Sequence, residues 1–251
     1  MKAYSCALLG ALGLASVAGG ASEPQHHWSY SGATGPSHWA ALEPDYATCG
    51  KGQTQSPVDI ETAAVHRQKL APLLFDYKIS PLRIVDNGHT IQGNVAEGST
   101  LSVGGDRYAL VQFHFHHPSE ERINGKRFDM VAHLVHRDAN GHLAVVAVPL
   151  RLGAPNPLLA KLWQNLPHAH GKESAPAGVT IDAAELLPHE RGYFTYAGSL
   201  TTPPCSEGVR WFVLKSPMTL SAAQAATFAK LYPANARAVQ PLHGRLVKSS
   251  Q

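Results

Sequence analysis

The pentapeptide Gln112-Phe113-His114-Phe115-His116 alternates polar and aromatic side chains with a period of two. Only an extended strand gives such an alternation two separate faces. Read as a strand, it sets Gln112, His114 and His116 on one side and Phe113 and Phe115 on the other. Two imidazoles at i and i+2 on a strand stand close enough to share one metal ion. The chain is therefore expected to build a sheet with one apolar face and one face that carries chemistry.

The rest of the sequence agrees with a strand-dominated architecture. Leu101–Val103, Tyr108–His116, Val131–Val135, Leu143–Leu150 and Val209–Leu214 are short and rich in β-branched and aromatic residues, and Gly, Pro, Asn and Asp punctuate them. Helices are expected only over Asn156–Asn165 and over Ala222–Leu231, the latter capped by Ser221 and stopped by Pro233. Eighteen Pro and 22 Gly fit a loop-rich fold. No repeat, low-complexity tract or Pro/Gly/Ser linker divides the chain, so one domain over residues 22–251 is expected.

Composition bounds the function. With 44% hydrophobic and 16% charged residues, 251 residues can bury a sizeable core, which excludes disorder, coiled coil and collagen. A formal charge of +3 is too balanced for a nucleic-acid binder. The excess lies in histidine: 15 in all, the commonest metal ligand among side chains. Lys2, the apolar run Ala7–Ala18 and the small residues Gly19-Gly20-Ala21 read as a secretory signal peptide over residues 1–21, cut after Ala21. The apolar run is too short for a transmembrane anchor. Export, with the periplasm as the expected destination and the medium as the other, leaves Cys49 and Cys205 in an oxidising compartment. A Cys49–Cys205 disulfide is expected there, with two separate thiols as the alternative.

After His116 the chain turns through Asn124-Gly125, a strong hairpin dipeptide, and returns as Val131-Ala132-His133-Leu134-Val135-His136. An antiparallel return of that length can bring His133 opposite the first pair. Three neutral imidazoles leave one tetrahedral position open, the pattern of catalytic rather than structural zinc. On a regular strand His136 faces away, His117 lies past the strand end, and His26-His27 and His168-x-His170 read as loop residues. A single strand histidine is more often core or surface than ligand, so spacing alone leaves the reaction open.

The residues then match a known pattern. His27-Trp28-Ser29-Tyr30, Gln55-Ser56-Pro57-Val58-Asp59-Ile60, Asn87-Gly88-His89-Thr90-Ile91-Gln92, Gln112–His116, Pro118-Ser119-Glu120, His133–His136, Ser199-Leu200-Thr201-Thr202-Pro203-Pro204-Cys205 and the tail from Asn235-Ala236-Arg237 to Gln240–Arg245 follow one another in order. In these the chain resembles the exported bacterial α-class carbonic anhydrases across the whole of residues 22–251. The resemblance implies a mainly β fold around a large, twisted, mostly antiparallel sheet with short peripheral helices. It also implies zinc as cofactor and reversible hydration of carbon dioxide to bicarbonate.

The resemblance assigns roles as well. His114, His116 and His133 would hold zinc, whose bound water loses its proton near pH 7. Thr201 would accept a hydrogen bond from the zinc hydroxide and donate its own proton to Glu120, while its backbone N–H holds the substrate oxygen beside Thr202. Val135, Val145, Leu200 and Trp211 would form the apolar pocket for carbon dioxide. His89 would shuttle the proton outward through water held by Tyr30, Asn87 and Gln92, and Gln112 would orient His114.

Two positions depart from the family. A glutamate usually stands two residues before the third zinc histidine; here it is Val131, so faster zinc loss or lower activity than in close relatives is expected, with Val131→Glu slowing zinc release. The residue after Glu120 is often His and is Glu121 here, an extra carboxylate expected to perturb the network around Thr201. A catalytically silent binding protein on the same scaffold and an ester-cleaving zinc hydrolase are the competing readings. The partner is a small molecule, not nucleic acid or membrane, and the oligomeric state is open, with a homodimer among the options.

Overall fold

The computed structural model describes residues 28–251. The signal sequence with its cut after Ala21, Cys6 and His26-His27 lie outside the described residues.

The fold is mainly β, with a 13-stranded mixed sheet at its centre. Seven strands carry the argument: β1 (Ile84–Asp86), β2 (Ile91–Asn94), β3 (Asp106–His116), β4 (Met130–Arg137), β5 (Leu143–Leu152), β6 (Tyr193–Ser199) and β7 (Glu207–Leu214). They lie side by side in the order β1-β2-β3-β4-β5-β7-β6. The contacts β2–β3, β3–β4, β4–β5 and β6–β7 are antiparallel, and β5–β7 is parallel. Each expected strand is present. Those of the histidine hairpin run on beyond their expected ends, to Asp106 and to Met130 and Arg137.

The alternation in β3 does what its period requires. Phe113 and Phe115 are fully buried in the larger of the apolar clusters, and Phe115 meets Trp163 and Phe228 edge-on at 5.4 and 6.2 Å between ring centroids. Those two rings belong to α1 (Pro157–Gln164) and α2 (Ala222–Leu231), which cover this face of the sheet. Gly93 on β2 has no side chain because the Phe113 ring occupies the space a Cβ would need.

Both helices start where the sequence puts them. Ser221 Oγ accepts from Gln224 N at 3.1 Å, and Gln224 Oε1 accepts from Ser221 N at 3.0 Å, a reciprocal cap. Gln224 also bonds the backbone of Asn156 in both directions, at 2.9 and 2.7 Å, and Asn156 caps α1. The N-terminal ends of the two helices are thus fastened together. Short helical turns over Trp39–Leu42 and Thr48–Lys51, each of four residues, carry too little periodicity to be read from sequence.

The connection from β3 to β4 is more than a hairpin. Asn124 and Gly125 both take positive φ, 53° and 76°, as a tight turn of this dipeptide demands. They close only a small excursion, in which Arg122–Ile123 pairs in parallel with Asp59–Ile60 outside the main sheet. Its base is pinned by Ser119 N to Phe128 O at 3.1 Å and Phe128 N to Ser119 Oγ at 2.9 Å. Between those pins it carries Glu120 and Glu121. Cys49 and Cys205 form a disulfide that ties the Thr48–Lys51 turn to the loop after β6. Among the described residues no helix is long and apolar enough to cross a membrane.

Candidate active site

The antiparallel register pairs His133 on β4 directly with His114 on β3, and Val131 with His116. Three imidazoles therefore share the face opposite the phenylalanines, with ring centroids 4.7–5.4 Å apart. One ligand atom from each lies within 4.8 Å of the others. His136, one residue out of phase, points to the other side, where its Nε2 pairs with the Tyr77 hydroxyl at 2.7 Å. His117 lies just past β3 and bonds Pro233 O. His170 is exposed on a loop against Asp86.

Each of the three rings has one nitrogen engaged by an acceptor. His114 Nδ1 meets Gln112 Oε1 at 2.9 Å, His116 Nδ1 meets Asn235 O at 2.7 Å, and His133 Nε2 meets Glu121 Oε1 at 3.0 Å. A carbonyl oxygen can only accept, as can an ionised carboxylate, so with Glu121 ionised these nitrogens carry the protons. The lone pairs are left on Nε2 of His114, Nε2 of His116 and Nδ1 of His133. Burial keeps all three rings neutral: His114 and His133 are held well below the ordinary histidine pKa, with neighbouring imidazoles adding to the effect, and His116 is pushed down to about 4.

This donor set fits a metal ion. His116 Nε2 is completely buried with no hydrogen-bond partner, an orphan that a cation would satisfy. Two carboxyls, Glu120 and Glu121, are buried beside it, and burial raises the pKa of each; Glu121 raises Glu120 further. A divalent cation is the charge such a site lacks. Three neutral imidazoles with an open fourth position suit zinc.

Glu120 sits under the histidines, with Oε2 3.5 Å from His116 Nε2 and Oε1 accepting from the Arg237 backbone N–H at 2.8 Å. Thr201 is its hydroxyl neighbour and helps stabilise the carboxylate, although the contact is too loose to leave Oε2 with a well-formed hydrogen bond. Above the metal face a cavity of about 120 Å³ collects Tyr30, Asn87, His89, Gln92, Gln112, His114, His116 and Thr202. Beyond the metal face lies an apolar cluster: His133 meets Trp211 edge-on at 5.0 Å, Val145 pairs with Trp211 in register, and Val135 and Leu200 pack on the same cluster. Tyr30, Asn87, His89, Gln92, Gln112, Thr202 and two of the three histidines thus line one cavity, with Glu120 beside His116.

Alignment with known proteins identifies the scaffold. Residues 34–251 match the eukaryotic-type carbonic anhydrase family model. The chain belongs to the α-carbonic anhydrases. It is 42% identical over 250 residues to a carbonic anhydrase of Nostoc sp., covering 98% of this chain and 95% of that protein. It is 45% identical over 224 residues to one of Klebsiella pneumoniae, covering 88% and 90%. The solved α-carbonic anhydrase of Thermovibrio ammonificans in complex with sulfanilamide superposes with a TM-score of 0.85 at 45% identity, covering 88% of this chain and 98% of that one. Carbonic anhydrase activity, the hydration of carbon dioxide, follows from this membership.

Several features of this carbonic anhydrase escaped the sequence reading. Val131 does not leave His133 without a partner, because Glu121 reaches its Nε2 from the excursion. Asn235 is buried, takes His116 Nδ1 on its carbonyl, accepts from His117 N at 2.7 Å and donates to the carbonyls of His89 and Phe115 at 3.0 Å each. It thereby links a ligand strand to the His89 loop. The His89 ring stacks on Trp28 at 3.6 Å and 7° between planes. Asn87 Oδ1 shapes that loop by accepting from His89 N and Thr90 N at 3.0 and 2.9 Å. The motif strings contain Trp28, Asn87 and Asn235 but give Trp28 and Asn235 no role, and Glu121 stands out in the sequence only as an extra carboxylate.

Proposed function

We propose that His114, His116 and His133 hold one zinc ion and that residues 22–251 form a single exported catalytic unit hydrating carbon dioxide at it. When bound, zinc supplies a Lewis acid that brings the pKa of a coordinated water from 15.7 to about 7. The chain does the rest. The neutral imidazoles leave the cation's full charge available, where a carboxylate ligand would reduce it.

Thr201 orients the attacking oxygen by accepting its hydrogen bond and passing its own hydroxyl hydrogen bond to Glu120, whose other oxygen is anchored by Arg237 N. The Thr201 backbone N–H steadies the substrate oxygen, with Thr202 at the cavity wall. Val135, Val145, Leu200 and Trp211 offer an apolar surface to a molecule with no net dipole. His89, half-buried at the cavity mouth, takes the released proton through water held by Tyr30, Asn87 and Gln92 and returns it to buffer. The signal sequence and the Cys49–Cys205 disulfide support export to the periplasm.

The carrying observation is the pattern of engaged nitrogens, which turns three bare lone pairs toward a common point. Stopped-flow hydration and zinc content, measured on one preparation, test the proposal. Fast hydration with about one zinc per chain, abolished by chelation, is expected. Full zinc with negligible hydration would instead support a silent binding protein, and failure to take up zinc would overturn the metal site. Ester cleavage on the same sample should be secondary to hydration.

A further inference from the structure

Of the three ring partners, two are neutral and one is a carboxylate, and the carboxylate comes from an unexpected place. On β4 the residue that shares His133's face and lies two positions before it is Val131, fully enclosed in an apolar cluster with Val58, Ile60, Val145 and Ala147. The strand itself offers the ring no polar partner. Glu121, buried on the excursion between β3 and β4, supplies one instead, with Oε1 3.0 Å from His133 Nε2. Its backbone is fixed on both sides: Ser119 Oγ donates to Glu121 O at 2.9 Å, and Arg122 N donates to Val58 O at 3.3 Å. The contact is therefore built by the fold rather than by chance approach of a long side chain.

We infer that Glu121 is the positioning residue for the third metal ligand: by accepting the Nε2 proton of His133 from outside the strand, it fixes that ring's tautomer and presents Nδ1 to the metal, leaving position 131 free to be apolar. This rests on the assignment of the three histidines as a zinc site. Removing such a hydrogen-bonded partner of a metal ligand typically weakens metal binding tenfold to a hundredfold. It also reverses the expectation for Val131→Glu. In the native background a second buried carboxylate would compete for one N–H and repel Glu121, so that substitution should not slow zinc release.

The test is the rate at which zinc passes from the holoenzyme to excess chelator. Glu121→Val should speed release tenfold to a hundredfold, and the exchange Glu121→Val with Val131→Glu should recover most of the native rate. Glu121→Gln, which preserves volume, serves a second readout: nitrogen-15 NMR of the histidine rings in the zinc-loaded protein. The His133 Nε2–H resonance should move, and the His114 and His116 Nδ1–H resonances should stay. Native release from Glu121→Val, or no selective change at His133 in Glu121→Gln, would overturn the inference. If the unsubstituted protein takes up no zinc, it is the metal-site reading that has failed.

Discussion

Replacing Arg237 with Met should cost about 3–5 kcal/mol of stability, the size expected when several buried acceptors lose one charged donor. Its guanidinium is 2% exposed and donates to Gln55 Oε1 at 2.9 Å, Ser56 O at 2.8 Å and Cys49 O at 2.9 Å, while lying 5.7 Å from the Trp39 ring centroid. Net contributions of about 1.5–3 kcal/mol for each hydrogen bond to a charged group would sum to roughly 4.5–9 kcal/mol. Burying the cation opposes that gain, and the cost is visible in a guanidinium pKa pushed down to about 10. Met relieves that cost but strands carbonyl oxygens that have no water to turn to, at about 1–3 kcal/mol each. The loss therefore falls between the extremes. At a urea m-value of about 2–3 kcal/mol/M, the unfolding midpoint should drop by roughly 1–2.5 M.

The same substitution has a catalytic signature. The Arg237 backbone N–H still anchors Glu120, but the nearby positive charge that favours ionised Glu120 is gone. The acid limb of the hydration profile should therefore move to higher pH. Arg237→Lys keeps the charge without the fork, so its profile should stay while part of the stability is lost. A midpoint lowered by less than about 0.3 M in Arg237→Met, with m unchanged, would refute the clamp.

Reducing the disulfide, or Cys49→Ala with Cys205→Ala, should lower stability by about 5 kcal/mol in the chain-entropy model for a sequence separation of 156; equal urea midpoints for oxidised and reduced protein would contradict it. His136 is neutral in the fold, pushed down to about 4 by burial. The unfolded chain binds that proton first, so stability should fall as pH drops from about 6.5 to 4, by about 3 kcal/mol in total. His136→Gln should flatten that slope, and an unchanged slope between pH 7 and 4.5 would exclude the buried ring as its source. Trp28→Leu removes the surface on which His89 stacks. Turnover in weak buffer should fall toward that of His89→Ala, with kcat/KM kept and imidazole rescuing both; native turnover in weak buffer would show that stacking does not matter.

What could be read from the sequence was local, or followed a simple period. The i, i+2 spacing of His114 and His116 fixes their common face, and the Ser221 cap marks a helix start. The Asn124-Gly125 turn was legible as a turn but not as the tip of an excursion, because pairing of Arg122–Ile123 with Asp59–Ile60 joins segments far apart in the chain. Such distance also hid the partner of His116, a backbone carbonyl 119 positions away, a group every residue possesses. The partner of His133 is a glutamate only 12 positions away, but in the sequence it reads as an extra carboxylate near Thr201 rather than as a partner of the ring. Reading Val131 as a loss followed from judging the strand by itself; the compensating group sits outside it.

That arrangement explains why Glu120 and Glu121 are consecutive. Both carboxyls are carried on one bend of the pinned segment and reach different atoms around the metal site. Glu120 faces Arg237 N and Thr201, and Glu121 faces His133 Nε2. The Ser119–Phe128 contacts then hold the orientation of a metal ligand and the acceptor for the Thr201 hydroxyl on the same piece of backbone. A change that loosens this base, such as Ser119→Ala, frees Phe128 N and Glu121 O together. Both functions should then decline in parallel, zinc retention and hydration by the remaining loaded enzyme. Separate excursions for the two carboxyls would let one fail without the other.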